Sequence, residues 1–287
     1  MKSPKRILVG FARDLKQHGR KSARKNRYGF VPRQPKGTYM FETTKALILR
    51  EVRYKESDRI LTVLTDTDGK RTLKARGALR KGSKMAAATQ QLTFSELTLF
   101  ENRGRATINE AAILEPFEGL RADFSSFALG CYFAEVLEAT SEEGMADPAV
   151  LQLALNSLYA LNRVRCAPEQ VQAVFELRLM AITGYEPDLT ACPVCGDENP
   201  ESPWLYLPEG TVYCGRHRAD APGGVTPLHP DTLAAMRHIV YSDPKRIFSF
   251  TLEGEPMNQL ASLTERYLLT QLDRGFSSLD YWKKVKD

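Results

Sequence analysis

At 287 residues the chain has the length of two ordinary domains, and 43% hydrophobic against 26% charged content excludes collagen-like, mucin-like and wholly disordered proteins. The longest run free of charge and strong polarity, residues 127–134, falls far short of the roughly 20 apolar residues of a bilayer span. The net charge of +5 conceals a gradient: residues 1–40 carry 12 Lys and Arg against Asp14 alone, residues 41–115 carry 14 against 10 acids, and residues 116–287 carry 14 against 24. Such segregation points to a polyanionic partner for the N-terminal half and a different task for the C-terminal half.

Residues 1–39 show no apolar periodicity and scatter Gly and Pro among their cations. They are expected to be a basic disordered extension, with Met40 as an alternative start. The opening residues lack the apolar core of a signal peptide, so the protein is expected in the cytoplasm, without a membrane partner.

From residue 43 the texture is β. Residues 45–52 read as a buried-strand run, and residues 59–65 as another, closed by the turn at 66–69. Residues 70–76 alternate, with Leu73 and Ala75 on one face and Lys70, Thr72, Lys74 and Arg76 on the other. Residues 92–100 switch apolar parity near Glu96, as a bulge would produce, and a turn at 102–104 leads into the strand 106–114. Five short strands in this span predict an OB-fold barrel over residues 40–116.

Beyond Pro116 the period becomes helical: Leu120, Phe124, Phe127, Cys131 and Ala134 recur every three to four residues. Asp147-Pro148 and Ala167-Pro168 open two further helices, the second ended by Gly184, and others are predicted at 230–241 and 256–273. The fold class is therefore α+β, a five-stranded barrel followed by a helical domain over residues 117–287 with a knuckle inserted at 190–219.

That knuckle is the sharpest motif. Cys192-x-x-Cys195 and Cys214-x-x-His217, separated by 18 residues, offer four soft donors to one zinc ion. Four protein ligands leave no open position, so the site is structural. Asp197, Glu198 and Glu201 make it acidic, which favours a staple over a nucleic-acid contact. An odd, sparse count of five cysteines agrees with metal or reduced thiols better than with a disulfide framework.

The second signal is basic. Lys70, Arg71, Lys74, Arg76, Arg80, Lys81 and Lys84 place seven cations in 15 residues without an acid, and Arg103 and Arg105 sit at the next turn. Cations displayed from one strand and its following loop suit a groove that tracks phosphates of DNA or RNA. Phe94 and Phe100 read as core, so backbone contact without base readout is expected.

Catalytic signatures fail. Gly77 to Lys84 imitates a phosphate-binding loop but ends Gly82-Ser83-Lys84, with lysine and hydroxyl in the wrong order. His229 and His238 have no acid or nucleophile at motif spacing, and Cys131 and Cys166 read as core thiols, so the chain is not expected to be an enzyme. On residues alone, an RNA-binding OB protein of ribosome assembly or translation stands beside a DNA-binding one.

The segments Thr44-Lys-Ala-Leu-Ile-Leu-Arg, Tyr54-Lys-Glu-Ser-Asp-Arg-Ile-Leu-Thr62 and Asp68-Gly-Lys-Arg-Thr-Leu-Lys-Ala-Arg-Gly77 resemble the bacterial recombination mediator RecO family. So does the passage from Phe175 through Gly184-Tyr-Glu-Pro187 into Cys192-Pro-Val-Cys-Gly196. The resemblance covers about residues 43 to 275 and implies an OB-fold, a helical domain and a zinc element. It implies binding of single- and double-stranded DNA and annealing of complementary strands. It also implies cooperation with RecR, and in some pathways RecF, in loading RecA onto strands coated by single-strand-binding protein, whose acidic C-terminal tail would be a further partner. The family's DNA contacts correspond here to Lys70 through Lys84, Arg103 and Arg105. Its knuckle often ends in a second Cys pair where this chain has His217, and residues 1–39 fall outside its pattern.

Overall fold

The computed structural model describes residues 40–102, 104–163 and 166–286. The extension expected over residues 1–39 and the side chain of Arg103 lie outside the described residues. Five strands, β1 (Met40–Tyr54), β2 (Asp58–Thr65), β3 (Gly69–Ala75), β4 (Phe94–Asn102) and β5 (Arg105–Glu115), close into a barrel in the order β1-β2-β3-β5-β4. All neighbours are antiparallel except β3 and β5. This is the OB arrangement predicted from the strand count. The 15 residues of β1 serve both edges of the closure, the first half pairing with β4 and the second with β2. The register slips by one residue at Leu49.

Alternation fills the barrel with Ala46, Ile48, Leu61, Val63, Leu73, Ala75, Leu97, Leu99 and Ile108. The outward residues Leu47, Leu64, Leu92 and Phe94, with Leu49 at the slip, are equally buried, but in a second core built mainly from helices. This double burial makes residues 46–49 an unbroken apolar run, and it also explains the parity switch in β4. Leu97 and Leu99 face the barrel interior while Phe94 faces the helices. The bulged residues of the β4–β5 pair, Asn109 and Leu114, are on β5 instead. Two arginines of inward parity stand at opposite ends of the barrel. Arg59 bonds the Ala86 carbonyl and Thr89 Oγ1, both at 2.8 Å, and Glu51 at 3.3 Å, while Arg71 pairs with Glu42, Asp68 and Glu101.

The helical half comprises α1 (Glu118–Ala122), α2 (Phe124–Thr140), α3 (Pro148–Asn162), α4 (Pro168–Ile182), α5 (Pro230–Tyr241), α6 (Gly254–Leu272) and α7 (Ser277–Val285). A small sheet of β6 (Pro203–Tyr206), β7 (Thr211–Cys214) and β8 (Thr226–Pro227) is inserted after α4. Asp147 caps α3 as predicted, accepting from the Ala149 and Val150 N–H groups, with Pro148 in the first turn. The sequence did not point to α7. Leu279 and Trp282 are its only buried anchors, too few to show a period, and its start is held by Glu135 of α2, which accepts from the Ser278 N–H and hydroxyl. Among the described residues no helix is long and apolar enough to cross a membrane.

A backbone strap ties the halves together. The Lys70 N–H donates to the Glu142 carbonyl at 3.0 Å and the Gly144 N–H to the Asp68 carbonyl at 2.8 Å. The turn between β2 and β3 thus bridges to the loop after α2 through Gly69, whose φ is +65°. Lys70 adds its own tie, Nζ donating to the Glu138 carbonyl in the last turn of α2 at 2.7 Å.

The helical core encloses one carboxyl group, Glu176. Its Oε1 accepts from Tyr132 Oη at 2.8 Å and Gln172 Nε2 at 2.9 Å, and its Oε2 lies 2.8 Å from Thr264 Oγ1. Burial pushes its pKa up from 4.5 to about 8, against the effect of these hydrogen bonds. Thr264 Oγ1 donates to Oε2, and burial favours the protonated form of the acid. The folded state holds this proton more tightly than the unfolded chain. Its stabilising contribution is complete below pH 4.5 and is lost as pH rises through 8, by up to about 1.4 kcal/mol per unit. Glu176→Gln, which keeps the shape and one donor, is expected to flatten this alkaline slope in denaturant titrations between pH 5 and 8. An unchanged slope would assign the pH dependence to other groups.

Candidate functional site

The cations of the basic run do not share one face. Arg71 is turned inward against three carboxylates, its side chain only 15% exposed, and Lys70 is bound to α2. The remainder gather on the outer face at the far end of β3 and in the β3–β4 connection. Arg76, Arg80, Lys81 and Lys84 are exposed and make no ion pair among the described residues. Lys74 bonds Asp58 at 2.9 Å and lies 4.9 Å from the Tyr54 ring centre. The Gly77 N–H, 2.9 Å from the other Asp58 oxygen, and then Lys74 bring the Asp58 carboxyl down to about 2, so this acid is ionised at any working pH. An open groove of about 730 Å³ is lined by Lys55, Asp58, Lys74, Arg76 and Arg80, among others. Arg105 begins β5, which runs parallel to β3 with Ala106 beside Leu73, so Arg105 stands beside Thr72 on the same outer face.

The aromatics divide differently from the sequence expectation. Phe94 is buried as expected, but Phe100 is half-buried on the outer face against Phe41, with ring centres 5.6 Å apart. Tyr54 is exposed, with Lys74 over its ring.

The knuckle ligand atoms converge. Cys192, Cys195, Cys214 and His217 each place one donor within 4.8 Å of all the others. Cys195 and Cys214 sulfurs are 3.8 Å apart, and His217 Nδ1 lies 3.2 Å from the sulfur of Cys214 and 3.9 Å from that of Cys192. Zinc–sulfur and zinc–nitrogen bonds of about 2.3 and 2.1 Å generate a tetrahedron with edges of about 3.8 and 3.6 Å, so the four side chains form a set that can hold one metal ion. Burial pushes the Cys214 thiol up, but hydrogen bonds from His217 and the Arg216 backbone outweigh it and bring the thiol down to about 6. The first turn is made by the Gly196 N–H donating to the Cys192 carbonyl at 2.8 Å, with Gly196 at φ +71°.

Little else holds the knuckle. Its own cluster is Cys192, Tyr213 and Cys214, flanked by Trp204, Tyr206 and Ala221. Arg237 on α5, which carried no sequence signal, fastens it from outside. The guanidinium donates to the carbonyls of Leu189 at 2.7 Å, Thr190 at 3.0 Å and Glu198 at 2.6 Å.

Comparison with known proteins agrees over both halves. Residues 40–117 match the family profile "Recombination protein O N terminal" and residues 121–280 match "Recombination protein O C terminal". Similar proteins named DNA repair protein RecO include one from Acetivibrio thermocellus, 29% identical over 84% of this chain and 96% of its own length. One from Exiguobacterium sibiricum is 30% identical over 80% and 91%, and one from Heliobacterium modesticaldum 36% identical over 70% and 74%. With both profiles matched in order along the barrel and the helical half, the chain belongs to the recombination protein O family.

Proposed function

We propose that the protein is a non-enzymatic mediator of DNA repair and homologous recombination. It binds single- and double-stranded DNA, anneals complementary strands and helps load RecA onto strands coated by single-strand-binding protein. The observation that supports this most is the set of cations on the outer face of an OB barrel that make no ion pair among the described residues, in a chain of this family. Annealing requires no covalent step: cations screen phosphate repulsion and hold two strands at high local concentration. Arg76, Arg80, Lys81, Lys84 and Arg105 are the principal DNA contacts, with Lys74 partly committed to Asp58; Arg103, two residues before Arg105 in the sequence, is proposed with them. Lys70 and Arg71 contribute through the fold. The metal is one structural zinc ion on Cys192, Cys195, Cys214 and His217. The acidic helical half serves protein partners: RecR, in some pathways RecF, and the acidic tail of single-strand-binding protein.

The test is annealing of labelled complementary strands, each coated with single-strand-binding protein, across a salt series and without nucleotide. Steep loss of annealing with salt is expected. Arg76→Glu with Arg80→Glu and Lys84→Glu should weaken single-strand binding by at least about 100-fold at low salt and lower the salt slope by about 0.7 for each phosphate no longer neutralised. Lys74 is spared because a glutamate there would face Asp58 and disturb the Gly77 turn. Unaltered affinity in the triple variant would remove this face from the mechanism.

A further inference from the structure

We infer that Asp58 is the positioning residue of the DNA-binding face, an acid that aims the cations of two turns into one groove. The inference rests on the reading of this face as one that binds DNA, and adds to it how the cations are held.

An acid at this place needs a reason. Lys55, Lys74, Arg76 and Arg80 line the groove, and a carboxylate among them repels the phosphates they attract. Yet the Asp58 side chain is only 15% exposed, because the protein itself takes up its oxygens. Oδ1 accepts from the Gly77 N–H at 2.9 Å and from Ser57 Oγ at 3.3 Å, while Oδ2 pairs with Lys74 Nζ at 2.9 Å. One oxygen thus fastens the turn after β3 and the other fastens β3 itself. A carboxylate accepts with both oxygens, whereas an amide has a single accepting oxygen, so both holds together call for an acid.

The turn that Asp58 fastens carries the arginines. Gly77 has φ +67°, the Arg80 N–H donates to the Gly77 carbonyl at 3.1 Å, and Ala78 is buried in the barrel core. Arg76 enters this turn and Arg80 closes it, its Cδ and Nε lying 3.4 and 3.5 Å from where a Cβ on Gly77 would stand. The β1–β2 turn forms the opposite wall. Its Ser57 carbonyl accepts from the Leu79 N–H at 2.9 Å, so the two turns are joined beside Asp58 as well as through it. In that wall Lys55 has φ +56°, a left-handed conformation uncommon for a lysine, and it is exposed without an ion pair among the described residues. The cations of both turns therefore keep a fixed spacing before DNA arrives, which reduces the ordering that binding would otherwise require.

The test is titration of the full-length protein with a labelled thymidine oligonucleotide across a salt series. Asp58→Ala and Asp58→Asn remove the same charge, but only asparagine keeps an acceptor for the Gly77 N–H. Asp58→Ala is expected to bind at least about 10-fold more weakly at low salt, with a slope lowered by about 1.4 as Arg76 and Arg80 each lose a phosphate. Asp58→Asn should keep the wild-type slope and bind as tightly as Glu56→Gln, which removes an exposed acid from the same groove. Asp58→Glu carries the charge on a longer arm, away from Gly77, and should weaken binding as alanine does, even if the alanine variant does not fold. Equal affinity and slope in the alanine and asparagine variants, or wild-type binding by Asp58→Glu, would overturn the positioning role and leave Asp58 as a charge that the groove tolerates. Absence of DNA binding by the wild type would instead overturn the assignment of this face to DNA, and the role of Asp58 with it.

Discussion

Replacing Cys214 with serine is expected to release stoichiometric zinc and to open residues 190–202 and 213–217 to hydrogen exchange, while the barrel and the helices keep their protection. Cys214 joins the two ligand pairs: its sulfur is 3.8 Å from Cys195 and 3.2 Å from His217 Nδ1. The knuckle buries too few side chains of its own to replace the metal. Structural zinc supplies on the order of 10 kcal/mol in isolated fingers, which are unfolded without it. Here the damage stops at the base of the insertion, because Leu189, Leu205, Leu207 and Val212 belong to the helical core. Chelation of the wild type should reproduce the variant. Full protection after chelation, together with no bound metal by elemental analysis, would show the knuckle to be held by packing and Arg237 alone.

Gly69→Val is expected to part the barrel from the loop after α2 and lower the melting temperature by roughly 5–15 °C. A Cβ at Gly69 would lie 2.4 Å from the Met145 carbonyl oxygen and 2.5 Å from that of Glu142, both backbone atoms that cannot swing aside. The left-handed φ costs about 1–3 kcal/mol for a branched side chain, and losing the two strap hydrogen bonds about 1 kcal/mol each. Gly82→Val separates these contributions, since Gly82 has φ +77° but nothing within 4 Å of an added Cβ. Differential scanning of both variants should show the larger drop at Gly69. Equal drops would mean that the strap adds no stability.

What could be read from the sequence followed from local chemistry. Asp147-Pro148 marks a helix start by its own capping geometry, and the spacing of Cys192, Cys195, Cys214 and His217 reflects how a knuckle turns. Readings that needed the third dimension fared differently. The stretch from Lys70 to Lys84 looks like one basic stripe, yet the pleat sends Arg71 to the barrel mouth and the strap draws Lys70 to α2. Phe100 reads as core because its alternation with Leu97 and Leu99 is blurred by Phe94, which is buried against helices that the strand sequence does not mention. Arg237 and Arg59 act on carbonyl groups tens of residues away, and a carbonyl leaves no trace in a sequence.

The wall that β1 presents to both sides has a consequence for how this protein can change. A barrel whose outer surface is finished in polar residues can stand alone in water. Here Leu47, Leu49, Leu64, Leu92 and Phe94 make the barrel's outside the helices' inside. A substitution along that wall must satisfy two neighbours at once, and a barrel cut free would carry a greasy flank into water. The barrel and the half that carries the knuckle can only be inherited together.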